Sequence, residues 1–154
     1  MSDRDGSHAR LVGINHVALE VDDIEEALDF YGEIFDFDLR GRTTSGAFID
    51  MGDQFIALAE TNVAADTEDD HRHFGLVVDD PDAVESRLDE LDVERVPTQG
   101  LEFCDPWGNR VQIVDYEGIQ FTKPEHILNA MELSELEKSN SALDELSEKG
   151  MAPD

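Results

Sequence analysis

His16-Val17-Ala18-Leu19-Glu20-Val21-Asp22-Asp23 returns 57 residues later as His73-Phe74-Gly75-Leu76-Val77-Val78-Asp79-Asp80, with five of the eight positions identical. An echo at a fixed distance marks a duplicated supersecondary unit. The later parts of each copy echo too: Phe48-Ile49-Asp50 before Gly52-Asp53, and Phe103-Cys104-Asp105 before Gly108-Asn109, with a turn one residue longer. Two modules result, about residues 11–60 and 71–121, joined by the polar stretch 61–70.

Within each copy the apolar periodicity changes from strand to helix. Residues 14–21 alternate around Val17, Leu19 and Val21, which predicts a strand with one buried face. Asp23, with Glu26 three positions on, forms a capping box, and Ile24, Ala27, Leu28, Tyr31, Ile34 and Phe35 recur at helical spacing. Short strands are expected over 37–42, 47–51 and 54–60. In the second copy 73–78 is a strand, and Asp80 caps a helix that opens at Pro81, where a missing N–H costs nothing. Val84, Leu88 and Leu91 form its buried stripe, and strands near 93–96, 101–104 and 110–116 follow. The fold class is therefore α+β, with two tandem βαβββ modules. Phe48 and Phe103 are read as repeat equivalents lining the interior. Residues 122–154 form a helical extension: one helix over Pro124–Met131, a second from about Ser134 with Leu136, Leu143 and Leu146 on one face and Gly150 as its stop. Such an appendage packs on its own domain or on a partner subunit.

Composition sets the outer limits. The 154 residues carry 38 Asp+Glu against 11 Lys+Arg, a formal net charge of −27. Nucleic acid and anionic membranes are excluded as partners, because both require a basic surface. No apolar run approaches the ~18 residues of a membrane span, and the first residues lack the apolar segment of a secretory signal. Cys104 is the single cysteine, so neither a disulfide nor a thiolate zinc site can form within the chain. A cytoplasmic protein is expected. The acidity is dispersed, with three Lys against eight Arg, and resembles the surfaces of extreme halophiles. At molar salt the Debye length falls to ~3 Å, which screens such self-repulsion.

Two tandem modules, each opening on His-x-x-Leu-x-Val-Asp-Asp, resemble the vicinal oxygen chelate superfamily, the group of glyoxalases, bleomycin-resistance proteins and extradiol dioxygenases. Asp105-Pro106-Trp107-Gly108-Asn109-Arg110-Val111-Gln112-Ile113 is similar to the Asp-Pro-x-Gly-Asn-x-x-Glu-Leu stretch that ends the second module there. The resemblance covers residues 11–121 and implies a partial-barrel cleft between the modules. It also implies a divalent metal held by first- and last-strand residues, acting as a Lewis acid or passing electrons to dioxygen.

Carried over position by position, the implied metal ligands are His16, His73 and Gln112, with Fe, Zn, Ni or Mn as the candidate ions. The last-strand Glu slot of the first module falls on Ala57, and Glu60 lies on the opposite strand face. His71 shares a face with His73 if the strand begins early; otherwise it belongs to the linker. Trp107 either lids the cleft, meets a partner subunit, or packs against the second helix.

Two readings follow. One is a metal-dependent lyase, isomerase or extradiol-type dioxygenase acting on a small oxygenated molecule. The other is a metal-free binding or sequestration protein of the bleomycin-resistance type. Paired histidines favour the first and missing carboxylates the second; the balance falls narrowly to the first, with the metal-free binding protein as its alternative. A homodimer is expected in either case.

Overall fold

The computed structural model describes residues 14–62 and 72–153. The first module runs β1 (His16–Val21), α1 (Ile24–Ile34), β2 (Leu39–Arg42), β3 (Gly46–Asp50) and β4 (Phe55–Glu60). The second runs β5 (Phe74–Val78), α2 (Pro81–Glu90), β6 (Leu101–Cys104) and β7 (Arg110–Asp115). In both, the first strand crosses over through the helix and pairs parallel with the last, giving the orders β1-β4-β3-β2 and β5-β7-β6. His71 and most of the linker lie outside the described residues.

Helix starts follow the capping chemistry. Asp23 accepts from the Glu26 N–H at 3.0 Å and Asp80 from the Ala83 N–H at 3.2 Å. The helices cover one face of each sheet, and the core between them is continuous across the modules. Leu19, Val21, Ile24, Ala27, Tyr31, Ile56 and Leu58 join Leu76, Val84, Leu88, Phe103, Val111 and Ile113 in a single buried cluster. The βαβββ pattern thus holds, with three departures from expectation.

The stretch 93–96 contributes only an isolated bridge, Arg95 to Phe103, in place of a strand. Pro97 has no N–H to extend a ladder, and Arg95 is tied to the Val93 and Glu85 carbonyls and to Asp89. The last helix, α4 (Asn140–Glu148), begins six residues after Ser134. Ser139 caps it at 3.1 Å, and Leu136 falls outside it, so Ala142 and Leu146 are the buried residues. Gly150 does stop α4: at φ +71 it lets the Met151 N–H close on the Leu146 carbonyl, 2.8 Å. The third departure concerns register. Ala18 pairs with Ala57 and Gly75 with Gln112, while Phe48 pairs with Ala57 and Glu102 with Gln112. Glu102 is therefore the counterpart of Phe48, and Phe103 that of Ile49. Phe48 and Phe103 face opposite sides of their sheets.

After β7 the chain makes a 3-10 turn at Tyr116–Gly118, then α3 (Glu125–Ala130) and α4. This segment packs on its own modules. Lys123 reaches the Met51 carbonyl at 2.9 Å and pairs with Asp53, both at the β3–β4 turn, and Ser139 N–H bonds the Glu117 carbonyl at 2.8 Å.

Candidate functional site

Sheet alternation sorts the predicted residues onto two surfaces. Leu19, Val21, Ile56 and Leu58 point at the helices, so His16, Ala18, Phe55 and Ala57 occupy the helix-free face of the first sheet. Register places Gln112 with Glu102 and Gly75 on the corresponding face of the second sheet, where His73 precedes β5 by one residue. The alignment of Ala57 with Gln112 is thus a structural equivalence: both are the last-strand positions opposite residue three of the repeat.

His16 is exposed, and its ring stacks on Phe55 with centroids 4.8 Å apart and planes 14° from parallel. Phe48 meets the edge of Phe55 at 5.6 Å, and the Arg40 guanidinium lies over the same ring at 4.7 Å. Asn15 Nδ2 lies 3.1 Å from His16 Nδ1. An amide NH₂ only donates, so Nδ1 accepts and the imidazole proton sits on Nε2.

On the second sheet Glu102, 7% exposed, accepts from Arg110 Nε at 2.7 Å. None of these three residues stands out in the sequence: Glu102 is one of 38 acids, Arg40 belongs to no motif, and Arg110 fills an unspecified position of the Asp-Pro-x-Gly-Asn-x-x-Glu-Leu stretch. Glu60, on the helix side as expected, accepts from the Ile24 N–H at 3.0 Å and so serves the start of α1.

The two sheets meet through the Asp-Pro-x-Gly-Asn turn. Asp105, 4% exposed, accepts from Tyr31 Oη (2.6 Å), the Trp107 and Asn109 N–H groups (3.0 and 2.9 Å) and Asn109 Nδ2 (2.9 Å). Burial, with the Asp105 charge beside it, raises the Tyr31 phenol well above its ordinary range. Trp107 is 5% exposed and belongs to the core, which rules out a lid. Asn109 Nδ2 also reaches the Glu20 carbonyl at 2.8 Å. The His73 end of the second sheet therefore lies beside the C-terminal end of β1. His16 stands at the other end of β1, ~13 Å away at strand rise.

One chain thus puts His73 and Gln112 on one face and His16 on another. Among the described residues no three of His, Cys, Asp and Glu are grouped to hold a metal. A hollow of about 280 Å³ opens elsewhere, between Asp79, Asp115, Glu117, Glu135, Glu137 and Lys138. The Lys138 ammonium there is held by the carbonyls of Tyr116 (2.6 Å), Ile119 (2.8 Å) and Phe121, and burial lowers its pKa.

A paired-module protein with helix-free, histidine-bearing sheet faces is the class this architecture defines. The family model described as Glyoxalase/Bleomycin resistance protein/Dioxygenase superfamily matches residues 13–131, and the chain belongs to that superfamily. Glutathione transferase FosA of Serratia marcescens is 25% identical over 113 residues, 67% of this chain and 80% of that protein. Among solved structures, a protein assigned to the glyoxalase family from Bacillus anthracis is similar at 21% identity and a TM-score of 0.57, covering 70% of this chain and 98% of its own. The fosfomycin resistance protein FosX of Listeria monocytogenes, complexed with Mn(II) and sulfate, matches at 18% identity and a TM-score of 0.57, covering 68% and 92%. No helix among the described residues is long and apolar enough to cross a membrane.

Proposed function

We propose that this protein binds a small oxygenated molecule on its helix-free sheet faces and works without a resident metal, as a sequestration protein of the bleomycin-resistance type. The observation that carries this is the pair of register-equivalent last-strand positions, Ala57 and Gln112. One has no ligand atom and the other only a neutral amide. Two acids close to these positions are engaged otherwise, Glu60 with the first N–H of α1 on the opposite face and Glu102 with Arg110. A His-His-Gln set carries no charge to offset a divalent cation, so the donor chemistry does not fit one well.

A homodimer belongs to the same proposal. His16 and His73 lie at opposite ends of the modules within one chain, and a two-fold pairing of helix-free faces would bring one of each together. Small residues at Ala18, Ala59 and Gly75 leave room for close approach.

The second reading, a metal-dependent lyase, isomerase or dioxygenase, is favoured by the two histidines at matching repeat positions and by Mn(II) in the FosX complex. Metal analysis separates the two. The chain, purified without chelator and then soaked in Mn, Fe, Ni or Zn, is expected to retain far less than one ion per chain. Stoichiometric metal that disappears in His73→Ala overturns the metal-free reading.

A further inference from the structure

The β3–β4 turn, Met51-Gly52-Asp53, is gripped at three consecutive residues by the segment after β7. Lys123 Nζ donates to the Met51 carbonyl at 2.9 Å and pairs with Asp53. Between these two grips Met131 lies on Gly52. A Cβ built on Gly52 would stand 2.6 Å from Met131 Sδ, 3.4 Å from its Cγ and 3.5 Å from Ile127 Cγ2. Gly52 is also at φ +91, so both the backbone conformation and the seat for the sulfur call for glycine.

Backbone bonds on both sides fix this contact. Met131 ends α3 with its N–H on the Ile127 and Leu128 carbonyls (3.0 and 3.2 Å). Glu132 then turns the chain at φ +61, and the Leu133 N–H closes on the Leu128 carbonyl at 2.8 Å. Across the contact, the Met51 N–H bonds the Gln54 carbonyl at 2.9 Å, and Gln54 Nε2 bonds the Ile14 carbonyl at 3.0 Å. A displacement of Met131 is therefore passed through Gln54 to the adjoining ends of β1 and β4. Three of the four methionines lie among the described residues. Met151 is 64% exposed beyond the end of α4, and Met51 packs against the core. Met131 differs from both: it is partly exposed, and its sulfur atom itself forms the contact between the C-terminal segment and the first module.

We propose that Met131 is an oxidative modification site, a thioether clasp that hydroperoxides open by oxidising its sulfur. In the step, the peroxide O–O bond breaks and one oxygen forms an S–O bond on Met131 Sδ. The other oxygen leaves with the proton as water or an alcohol. Sulfur gives up two electrons and the peroxide takes them. The product is a sulfoxide, bulkier and far more polar than the thioether. The sulfur already fills the space over Gly52, and the added oxygen needs both room and a hydrogen-bond donor, so α3 lifts from the turn. Lys123 keeps its own hold on Met51 and Asp53, which confines the release to α3 and the turn. Reduction of the sulfoxide restores the thioether, so the clasp is reversible.

Graded hydrogen peroxide on the full chain, followed by peptide mapping, melting and amide hydrogen exchange, tests it. Met151 is expected to gain an oxygen first and Met131 next, with Met51 slowest. Oxidation at Met131 should lower Tm by ~3–6 °C. It should also speed exchange at the Met51, Met131 and Leu133 amides roughly tenfold or more. Methionine sulfoxide reductases should restore both. Met131→Leu keeps the apolar contact without the sulfur; it should melt like the reduced wild type and lose the peroxide response. Met131→Gln, polar like the sulfoxide, should show the oxidised exchange pattern with no peroxide added. A Met131 sulfoxide that leaves melt and exchange unchanged overturns the proposal. So does a full peroxide response in Met131→Leu, which would trace the effect to Met51, Met151 or Cys104. Resistance of Met131 to peroxide until Met51 has reacted overturns it as well.

Discussion

Asp105→Asn is the substitution whose cost the structure defines most closely. Oδ1 accepts from the Trp107 and Asn109 N–H groups, and Oδ2 accepts from Tyr31 Oη and Asn109 Nδ2. An amide keeps one oxygen. If it serves the turn, its NH₂ faces Tyr31 and Asn109 Nδ2. Tyr31 can rotate its hydroxyl and accept. Asn109 Nδ2 cannot, because it is a donor already fixed on the Glu20 carbonyl. One charge-assisted bond is replaced by a donor–donor contact, and the remaining three lose their charge assistance. At roughly 1.5–3 kcal/mol for a bond to a charged group, and with partial relaxation, the expected loss is about 2–3 kcal/mol. For a chain of this size that is a fall in Tm of ~5–10 °C. Urea unfolding at fixed salt gives the same quantity from the midpoint, provided the slope m is unchanged. Tyr31→Phe should cost less, about 1–2 kcal/mol, because the carboxylate keeps three donors. Both residues share one bond, so the double variant should cost less than the sum. An Asp105→Asn midpoint indistinguishable from the wild type would refute the account of this turn as the lock between modules.

Three further outcomes follow from single contacts. Glu60→Ala frees the Ile24 N–H at the start of α1 and should cost about 0.5–2 kcal/mol in unfolding free energy, with no change in metal content. The Lys123 hydrogen bond holds the Asp53 carboxyl below its ordinary pKa. Stability from this pair is therefore complete above the unfolded pKa of Asp and is lost as pH falls through the lower folded value. A Tm-against-pH curve should lose that acid-side slope in Lys123→Met, and an unchanged curve would count against the pair. The dispersed charge of −27 predicts that the melting temperature climbs between dilute buffer and about 2 M KCl; a flat response would remove the halophile reading.

The repeat made most of the fold legible, because strand and helix periodicities repeat with their caps in both copies. What escaped was local. Pro97 and the Arg95 anchors reduced a strand to one bridge, and nothing in the Val93–Val96 pattern announces those tertiary bonds. The helix start at Asn140 is set by Lys138 and Ser139 binding back onto the 3-10 turn, a contact between distant residues. For the site, the glycine turns align positions 57 and 112 as the strand register does. The Phe48–Phe103 equivalence is off by one residue, which in a strand exchanges faces. That single step concealed Glu102. Arg40 was hidden for a related reason: it is the bulged residue between Leu39 and Gly41, and a bulge is a feature of pairing, invisible until both strands are placed.

The segment after β7 changes what the duplication amounts to. Two modules joined by one linker are an open chain with a single covalent crossing. Here Lys123 and Met131 return to the β3–β4 turn, where a Cβ on Gly52 would meet Met131 Sδ at 2.6 Å. With the shared core and the Asn109–Glu20 bond, the second crossing closes the chain into a ring held by non-covalent contacts. A chain divided between residues 62 and 72 would then yield two halves that each carry part of the other's seat. Such fragments are suited to recombine on mixing, with the linker supplying only effective concentration.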